Sequence, residues 1–155
     1  MAEVQERASV WAGRWGAYSV SFILVTGVLV YLLDLPGYLS GADKLVREYY
    51  YSNFWRSTVL DFFLIAAYIS AGMFVASGMG WARSAAGQVA GIMLASVLIS
   101  GAFMAFFLAR PETKSFFSRW FHAAGVSAVL YDVILVSTVY WVAAAGKRRL
   151  DALVG

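Results

Sequence analysis

The sequence predicts an all-α integral membrane protein built as a bundle of four transmembrane helices. Two observations carry this prediction. Hydrophobic residues make up 61% of the 155 residues and charged residues only 14%, and the apolar residues gather into four long stretches. A soluble domain is roughly half apolar and about a quarter charged. We therefore expect one membrane domain over residues 1–155.

Each apolar stretch has the length of a membrane-crossing helix. The four stretches cover residues 16–33, 58–79, 85–108 and 125–145. A helix needs about 20 residues to cross a hydrocarbon core of about 30 Å. The stretches lack the sustained alternation of a transmembrane strand. Trp15, Trp55 and Trp120 lie near the predicted ends, where amphipathic rings favour the headgroup level.

A mixed segment follows the first and the third stretch, and each has the pattern of an amphipathic helix. In residues 37–52 the apolar positions follow helical spacing. In residues 110–121, Pro111 suits the first turn of a helix, and the aromatic residues after it form one face. We expect two short helices that lie in the membrane interface.

The two halves of the chain resemble each other. Pro36 and Pro111 are the only prolines, and each follows an odd-numbered stretch, while Asp61 and Asp132 each lie within an even-numbered one. Each half crosses the membrane twice, so the halves have the same orientation. The pattern predicts two parallel hairpin repeats, related by an axis along the membrane normal. The repeats would cover residues 16–79 and 85–145.

Asp132 is the main candidate for a functional residue. A charged acid at the centre of a span costs about 2.5–3.5 kcal/mol. Such an acid either stays neutral and bonds to a neighbour, or faces a polar partner or a hydrated cavity. Two interpretations therefore stay open, a proton or cation path and a polar clasp between helices. Asp61 is the weaker candidate, because Arg56 and the predicted interface lie close to it.

Three tyrosines accompany the acids. Tyr68 follows Asp61 by seven residues and Tyr140 follows Asp132 by eight, so each pair lies about two turns apart on roughly one helix face. Tyr131 directly precedes Asp132. We expect these hydroxyl groups to belong to the same path or clasp as the acids.

Small residues recur every four positions on the second and third stretches. They are Gly72, Ala76 and Gly80 on the second and Gly87, Gly91 and Ala95 on the third. Such stripes let helix backbones approach closely. We expect them to pack helices within the bundle, with an interface between subunits as the alternative. Gly80 has a second interpretation, as part of a tight loop before Trp81.

The basic residues indicate a membrane surface and not nucleic acid. The net charge is +3, but the basic residues are spread over both ends and three loops. The one tight cluster, Lys147, Arg148 and Arg149, flanks the fourth stretch, and we expect it to contact lipid headgroups. Basic residues divide evenly between the two sides, so only this cluster favours termini on the cytoplasmic side.

No motif of an enzyme or a metal site is present in the sequence. The absence of cysteine excludes disulfides and thiol chemistry. His122 is the only histidine, and one histidine cannot build a typical metal site. We expect it to face headgroups, with a pH sensor at the mouth of a pore as the alternative. We expect no enzymatic activity, no cofactor and no metal.

The segment FFSRWFHAAGVSAVLYDVILVSTVY, residues 116–140, resembles a segment of small four-span membrane proteins encoded by large double-stranded DNA viruses. The matching features are Arg-Trp-Phe at 119–121, Gly125, Tyr-Asp at 131–132 and Tyr140. NFWRSTVLDFFLIAAY, residues 53–68, is similar to the corresponding earlier segment. The resemblance implies a viral membrane protein, such as one of a virion's internal membrane, and assigns no role to Asp132.

Two functions from different classes follow from these observations. The first is a non-enzymatic structural or assembly protein of a membrane, present as a homo-oligomer or as a subunit of a larger assembly. It requires hydrogen bonds that seal Asp61 and Asp132. The second is a proton or cation channel, in which Asp132 lines a hydrated path. The fourth stretch has few other polar groups, and this favours the first function.

Overall fold

The chain is mostly helical in the part that the structure describes. The computed structural model describes the backbone of residues 2–154 and the side chains of residues 11–149, and no strand occurs in that range. The helices are α1 Ala2–Thr26, α2 Leu35–Ser40, α3 Asp43–Val46, α4 Phe54–Gly78, α5 Ala85–Leu108, α6 Phe116–Ala124 and α7 Val126–Val154. π-Helical turns at Gly27–Leu32 and Arg47–Ser52 extend α1 and α3.

Four helices are long and apolar enough to cross a membrane. The spans are Trp11–Leu32, Phe54–Gly78, Ala85–Leu108 and Val126–Arg149. They confirm the four predicted spans. The first helix starts before residue 16, where the first predicted stretch begins, because α1 already includes Trp11 and Trp15. Large apolar side chains such as Phe74 and Leu98 are exposed on the outside of the bundle, where a bilayer would contact them.

The bundle has two distinct ends. The connection end carries residues 34–53 and 109–125, and the terminal end carries both chain ends and the tight turn between α4 and α5. α4 packs closely on α5, α5 on α7, and α7 on α1. α1 and α4 meet through side chains: the rings of Trp15 and Phe62 stack with centroids 6.1 Å apart. Tyr18 also donates a hydrogen bond to the carbonyl of Phe62.

Small residues set the distance between α4 and α5. A Cβ atom on Gly91 would lie 2.7 Å from both the Cβ of Ala76 and the carbonyl oxygen of Gly72. A Cβ atom on Gly72 would lie 2.4 Å from the Cα of Ile92. Ala95 is buried on the same helix. The two backbones are therefore in contact at positions that accept no side chain.

Two glycines of the predicted packing stripes have a different role. Gly80 lies beyond the end of α4, with φ of 73° and open space where a Cβ would point. This left-handed conformation favours glycine, so the packing prediction is wrong for Gly80 and its alternative as a loop residue holds. Gly87 packs against the turn, because a Cβ there would lie 2.2 Å from the carbonyl oxygen of Trp81. A four-residue spacing can continue in the sequence past the end of a helix. Periodicity alone therefore could not show that Gly80 and Gly87 belong to the turn and not to the helix contact.

The mixed segments contain helices with other boundaries than predicted. Residues 37–52 are not one helix, because Gly41 adopts φ of 64° and separates α2 from α3. α6 starts at Phe116 and not near Pro111, since Ser115 caps it by accepting a hydrogen bond from the Ser118 amide at 3.3 Å. The prediction that Pro111 begins a helix is therefore wrong. The interfacial position of these helices and the two-fold repeat stay predictions.

The contact between α4 and α5 can be tested with two glycines of α5. Gly91→Ala should lower the free energy of unfolding by about 1–3 kcal/mol, because the new methyl group overpacks the contact with Ala76. Gly101→Ala is the matched control, since no atom lies within 4 Å of a Cβ at that position. It should leave stability unchanged or raise it by up to about 1 kcal/mol. Unfolding of both variants in detergent is the measurement, and equal effects would refute the close contact.

Candidate functional site

A cavity of about 200 Å³ lies inside the connection end of the bundle. Both intramembrane acids, Asp61 on α4 and Asp132 on α7, line it. The polar part of its wall is completed by the tyrosines Tyr49, Tyr50, Tyr68 and Tyr131. The remaining wall is apolar and largely aromatic. Two acids that lie far apart in the sequence therefore meet at one internal space.

Asp61 is bonded by the connection between α1 and α4. Only 9% of its surface is exposed. The hydroxyl of Tyr49 donates a hydrogen bond of 2.7 Å to its Oδ1. Burial, and then the nearby carboxylate of Asp61, raises the pKa of Tyr49 well above its usual value. Tyr49 therefore keeps its proton and serves as a donor to the acid.

Asp132 is bonded across the contact between α5 and α7. The hydroxyl of Ser100 donates a hydrogen bond of 2.5 Å to its Oδ2. The oxygen of Ser100 also lies 2.9 Å from the hydroxyl oxygen of Tyr68. Because Ser100 has only one hydroxyl proton and directs it at Asp132, Tyr68 is the donor to Ser100. This chain of bonds joins α4, α5 and α7.

A third polar link connects the π-helical turn to α7. The hydroxyl oxygens of Tyr50 and Tyr131 lie 2.7 Å apart, and both side chains are buried. Burial raises the pKa of Tyr50 well above its usual value, so its hydroxyl stays protonated. Together, the three links bring four separate parts of the chain to the wall of one cavity.

The turn that carries Tyr49 and Tyr50 is held onto α6. Arg119 donates from Nη1 to Oε2 of Glu48 at 2.8 Å, and from Nη2 to Oε1. This bidentate bond lowers the pKa of Glu48. The ring of Tyr49 stacks on Phe116 with centroids 4.2 Å apart. The ion pair is partly exposed, and both stacked rings line the cavity.

The structure places one predicted site residue elsewhere. Asp61, Asp132, Tyr68 and Tyr131 share the cavity, but Tyr140 lies at the terminal end. It donates a hydrogen bond to Gln88 there and lines a separate crevice of about 570 Å³. The inclusion of Tyr140 with the acids is therefore wrong. Tyr140 follows Asp132 by about two turns of α7, and this distance along the helix axis places its hydroxyl too far from the acids.

Three site residues were not predicted from the sequence. Tyr49 and Tyr50 belong to a run of three tyrosines, and both were interpreted as apolar positions of an interfacial helix. The run itself was the available signal, because buried tyrosine hydroxyls need hydrogen-bond partners. Ser100 carried no signal, since serines are common on spans and nothing local marks its partner.

The remaining candidates lie outside the cavity. His122 on α6 bonds through Nδ1 with the carbonyl of Ser118 at 2.8 Å. Lys147 lines the terminal crevice, and Arg148 and Arg149 are exposed near the end of the last span. Within the described side chains, no group of three or more His, Cys, Asp or Glu could hold a metal ion.

The cavity can do two things chemically. Its hydroxyl groups can hold both carboxylates in place or pass protons to them, and its two acids can attract positive charge.

No protein family, curated protein or solved structure matches this chain.

The bond between Glu48 and Arg119 predicts a loss of stability in acid. The pKa of Glu48 is lowered in the folded protein. The ion pair therefore contributes fully to the stability of the fold above the pKa of a free glutamate, about 4.3, and this stabilisation is lost as the pH falls further. Glu48→Gln should lower the melting temperature at neutral pH. In this variant the melting temperature should also fall less steeply than in the wild type between about pH 5 and pH 3. Tryptophan fluorescence during heating is the measurement.

Glu112→Gln is the matched control for this experiment. The charge of Glu112 acts on Arg119 without the hydrogen bond that Glu48 makes. Its pH profile should therefore follow that of the wild type. A Glu48→Gln profile parallel to the wild type would show that the ion pair does not hold the turn.

Proposed function

We propose that this chain is a non-enzymatic, multi-pass membrane protein that serves as a structural or assembly component of its membrane. One observation carries the proposal: both intramembrane acids are engaged by hydrogen bonds from other parts of the chain. Tyr49 bonds Asp61 and Ser100 bonds Asp132. Intramembrane acids with protein partners tie helices together. The acids act here as a polar clasp.

The apolar layer below the cavity supports a scaffold. Ile92, Val136 and Val139 are almost fully buried. They lie on α5 and α7 between the level of Asp132 and the level of Tyr140 at the terminal end. A conduction path needs a polar or hydrated lining along its length. Ser96 on α5 is also buried at this level, and its hydroxyl makes no hydrogen bond. Among the described side chains, isolated polar groups of this kind do not form a continuous polar lining between the cavity and the terminal crevice.

The surface of the bundle suits membership of an assembly. Phe63 and Phe74 on α4 are 62% and 81% exposed, and Leu98 on α5 is 59% exposed. In a bilayer such side chains contact lipid or another subunit, and we propose a homo-oligomer or a heteromeric membrane assembly. The cluster at Lys147–Arg149 supports termini on the cytoplasmic side. The resemblance of residues 116–140 supports a viral membrane as the location.

A proton or cation channel is the second candidate, and a specific observation favours it. Asp61 and Asp132 line one cavity together with the hydroxyls of Tyr49, Tyr50 and Tyr131. Carboxylates and hydroxyls gathered at membrane depth are the parts of a proton relay. In this alternative, protons pass between the two acids, and the path through the apolar layer opens in another state or is supplied by further subunits.

Flux through reconstituted protein distinguishes the two candidates. Liposomes with a pH-sensitive dye inside and a potassium–valinomycin potential should show no proton entry above protein-free liposomes. Asp132→Asn should lower the free energy of unfolding by about 1–2 kcal/mol, because its bond with Ser100 weakens. Asp43→Asn changes an exposed acid and should behave as the wild type. Proton entry that Asp132→Asn abolishes would establish the channel, and unchanged stability of that variant would refute the clasp.

The assembly role predicts a defined oligomer. Extracted with its surrounding lipid, the wild-type protein should give a single mass above that of the 17.0 kDa monomer by native mass spectrometry. Phe74 is the most exposed aromatic residue of α4. Phe74→Lys replaces it with a charged side chain and tests whether this outward face contacts another subunit. A monomer as the only species of the wild type, extracted directly from the expressing membrane, would contradict assembly with itself.

A further inference from the structure

We infer that the cavity between Asp61 and Asp132 binds a small lipophilic organic cation, an ammonium group carried on a single aromatic or apolar body. The site goes beyond the proposed scaffold function and does not depend on it, because a ligand can occupy this space whether the bundle conducts or not. Four features of the cavity lead to this ligand: its charge, its walls, its size and its opening.

The ionisable groups that line the cavity are all acidic. Two carboxylates line it, and no Lys, Arg or His is present among the described residues of its wall. Arg119, which approaches from α6, bonds with Glu48 and does not line the space. Negative charge in an apolar interior is costly without a positive partner. A cationic ligand supplies that partner.

The acids present oxygen atoms for such a ligand. Tyr49 bonds to Oδ1 of Asp61 and Ser100 bonds to Oδ2 of Asp132. Each carboxylate has two oxygens and about four acceptor positions. An ammonium group has up to three N–H donors. It can therefore bond to a free oxygen of either acid without breaking the hydrogen bonds that hold the acids.

The walls select an organic cation over a hydrated metal ion. Aromatic rings from α5 and α6 make up much of the lining, namely Phe103, Phe107, Phe116, Phe117, Trp120 and Phe121. Ring faces attract alkylammonium groups, and apolar rings cannot replace the water of a metal ion. The described side chains also contain no group of three acids, histidines or cysteines that could coordinate a metal.

The size of the cavity limits the ligand. Its volume is about 200 Å³. An apolar cavity of about 150 Å³ holds one benzene molecule. The space therefore accepts one ring with a short ammonium arm, and it excludes a second ring.

The opening of the cavity faces the hydrocarbon region. Leu60 on α4 is 40% exposed and Phe103 on α5 is 46% exposed, whereas the wall residues Tyr50 and Tyr131 are buried. The turn at Arg47–Ser52 and α6 cover the aqueous side, where Glu48 and Arg119 hold them together. A ligand that enters between α4 and α5 passes through lipid, and this requires a lipophilic cation.

Binding of a matched pair of probes tests the inference. Phenethylamine is protonated at neutral pH, and 2-phenylethanol has the same ring and arm without the charge. Isothermal titration calorimetry on wild-type protein in zwitterionic nanodiscs, corrected with empty nanodiscs, should show that the amine binds at least about tenfold more tightly than the alcohol. Equal affinity would reduce the site to an apolar cavity and overturn the inference, as would no amine binding.

Variants locate the binding site. Asp61→Asn and Asp132→Asn should each weaken amine binding about tenfold or more and leave alcohol binding unchanged, while Asp43→Asn should bind as the wild type. Leu60→Trp enlarges an exposed residue at the opening and should block both probes even if the acid variants fold poorly. Amine binding that survives Leu60→Trp would place the site elsewhere and overturn the inference.

Discussion

A carboxylate within a membrane-spanning helix must find protein partners, and this requirement organises the connection end of the bundle. Asp61 and Asp132 line the same cavity, where lipid offers nothing that can bond to them. The chain meets the requirement with hydroxyl groups: Tyr49 for one acid and Ser100 for the other. Ser100 in turn accepts a hydrogen bond from Tyr68. Removal of Tyr49 or Ser100 takes away the side-chain hydrogen bond that holds the corresponding acid in the interior.

The two ends of the bundle are held by different physical means. At the connection end, polar bonds join α4, α5, α7 and the π-helical turn around an internal space. At the terminal end, α4 and α5 touch through Gly72 and Gly91, where dispersion forces act between backbones in contact. The same level of α4 also borders the terminal crevice, through Ile69 and Met73. At the cavity of the connection end, α5 contributes the large side chains of Phe103 and Phe107 to the wall.

The scaffold and the cation site depend on the same hydrogen bonds. Tyr49 donates to Asp61 from a turn that is held to α6 by the bond of Glu48 with Arg119 and by the stacking of Tyr49 on Phe116. In the site we propose, these contacts close the cavity on the side of α6, and the exposed Leu60 and Phe103 mark its opening. An ammonium group in the cavity would add a further bond to α4 through Asp61 or to α7 through Asp132. The proposed ligand would therefore also stabilise the bundle by mass action.

The sequence by itself determined the four spans, the two acids as candidates and the small residues that bring α4 and α5 together. Each of these features can be identified from a short segment of the sequence. A span needs only a contiguous apolar stretch, and an acid within such a stretch stands out from its apolar neighbours. Only the tertiary structure decided that Asp61 and Asp132 share a cavity, that Ser100 and Tyr49 bond them, and that Tyr140 does not. Such meetings depend on how each helix is rotated and how far it is shifted along its neighbours. The packing of all the helices together sets both quantities, and no single segment of the sequence contains them.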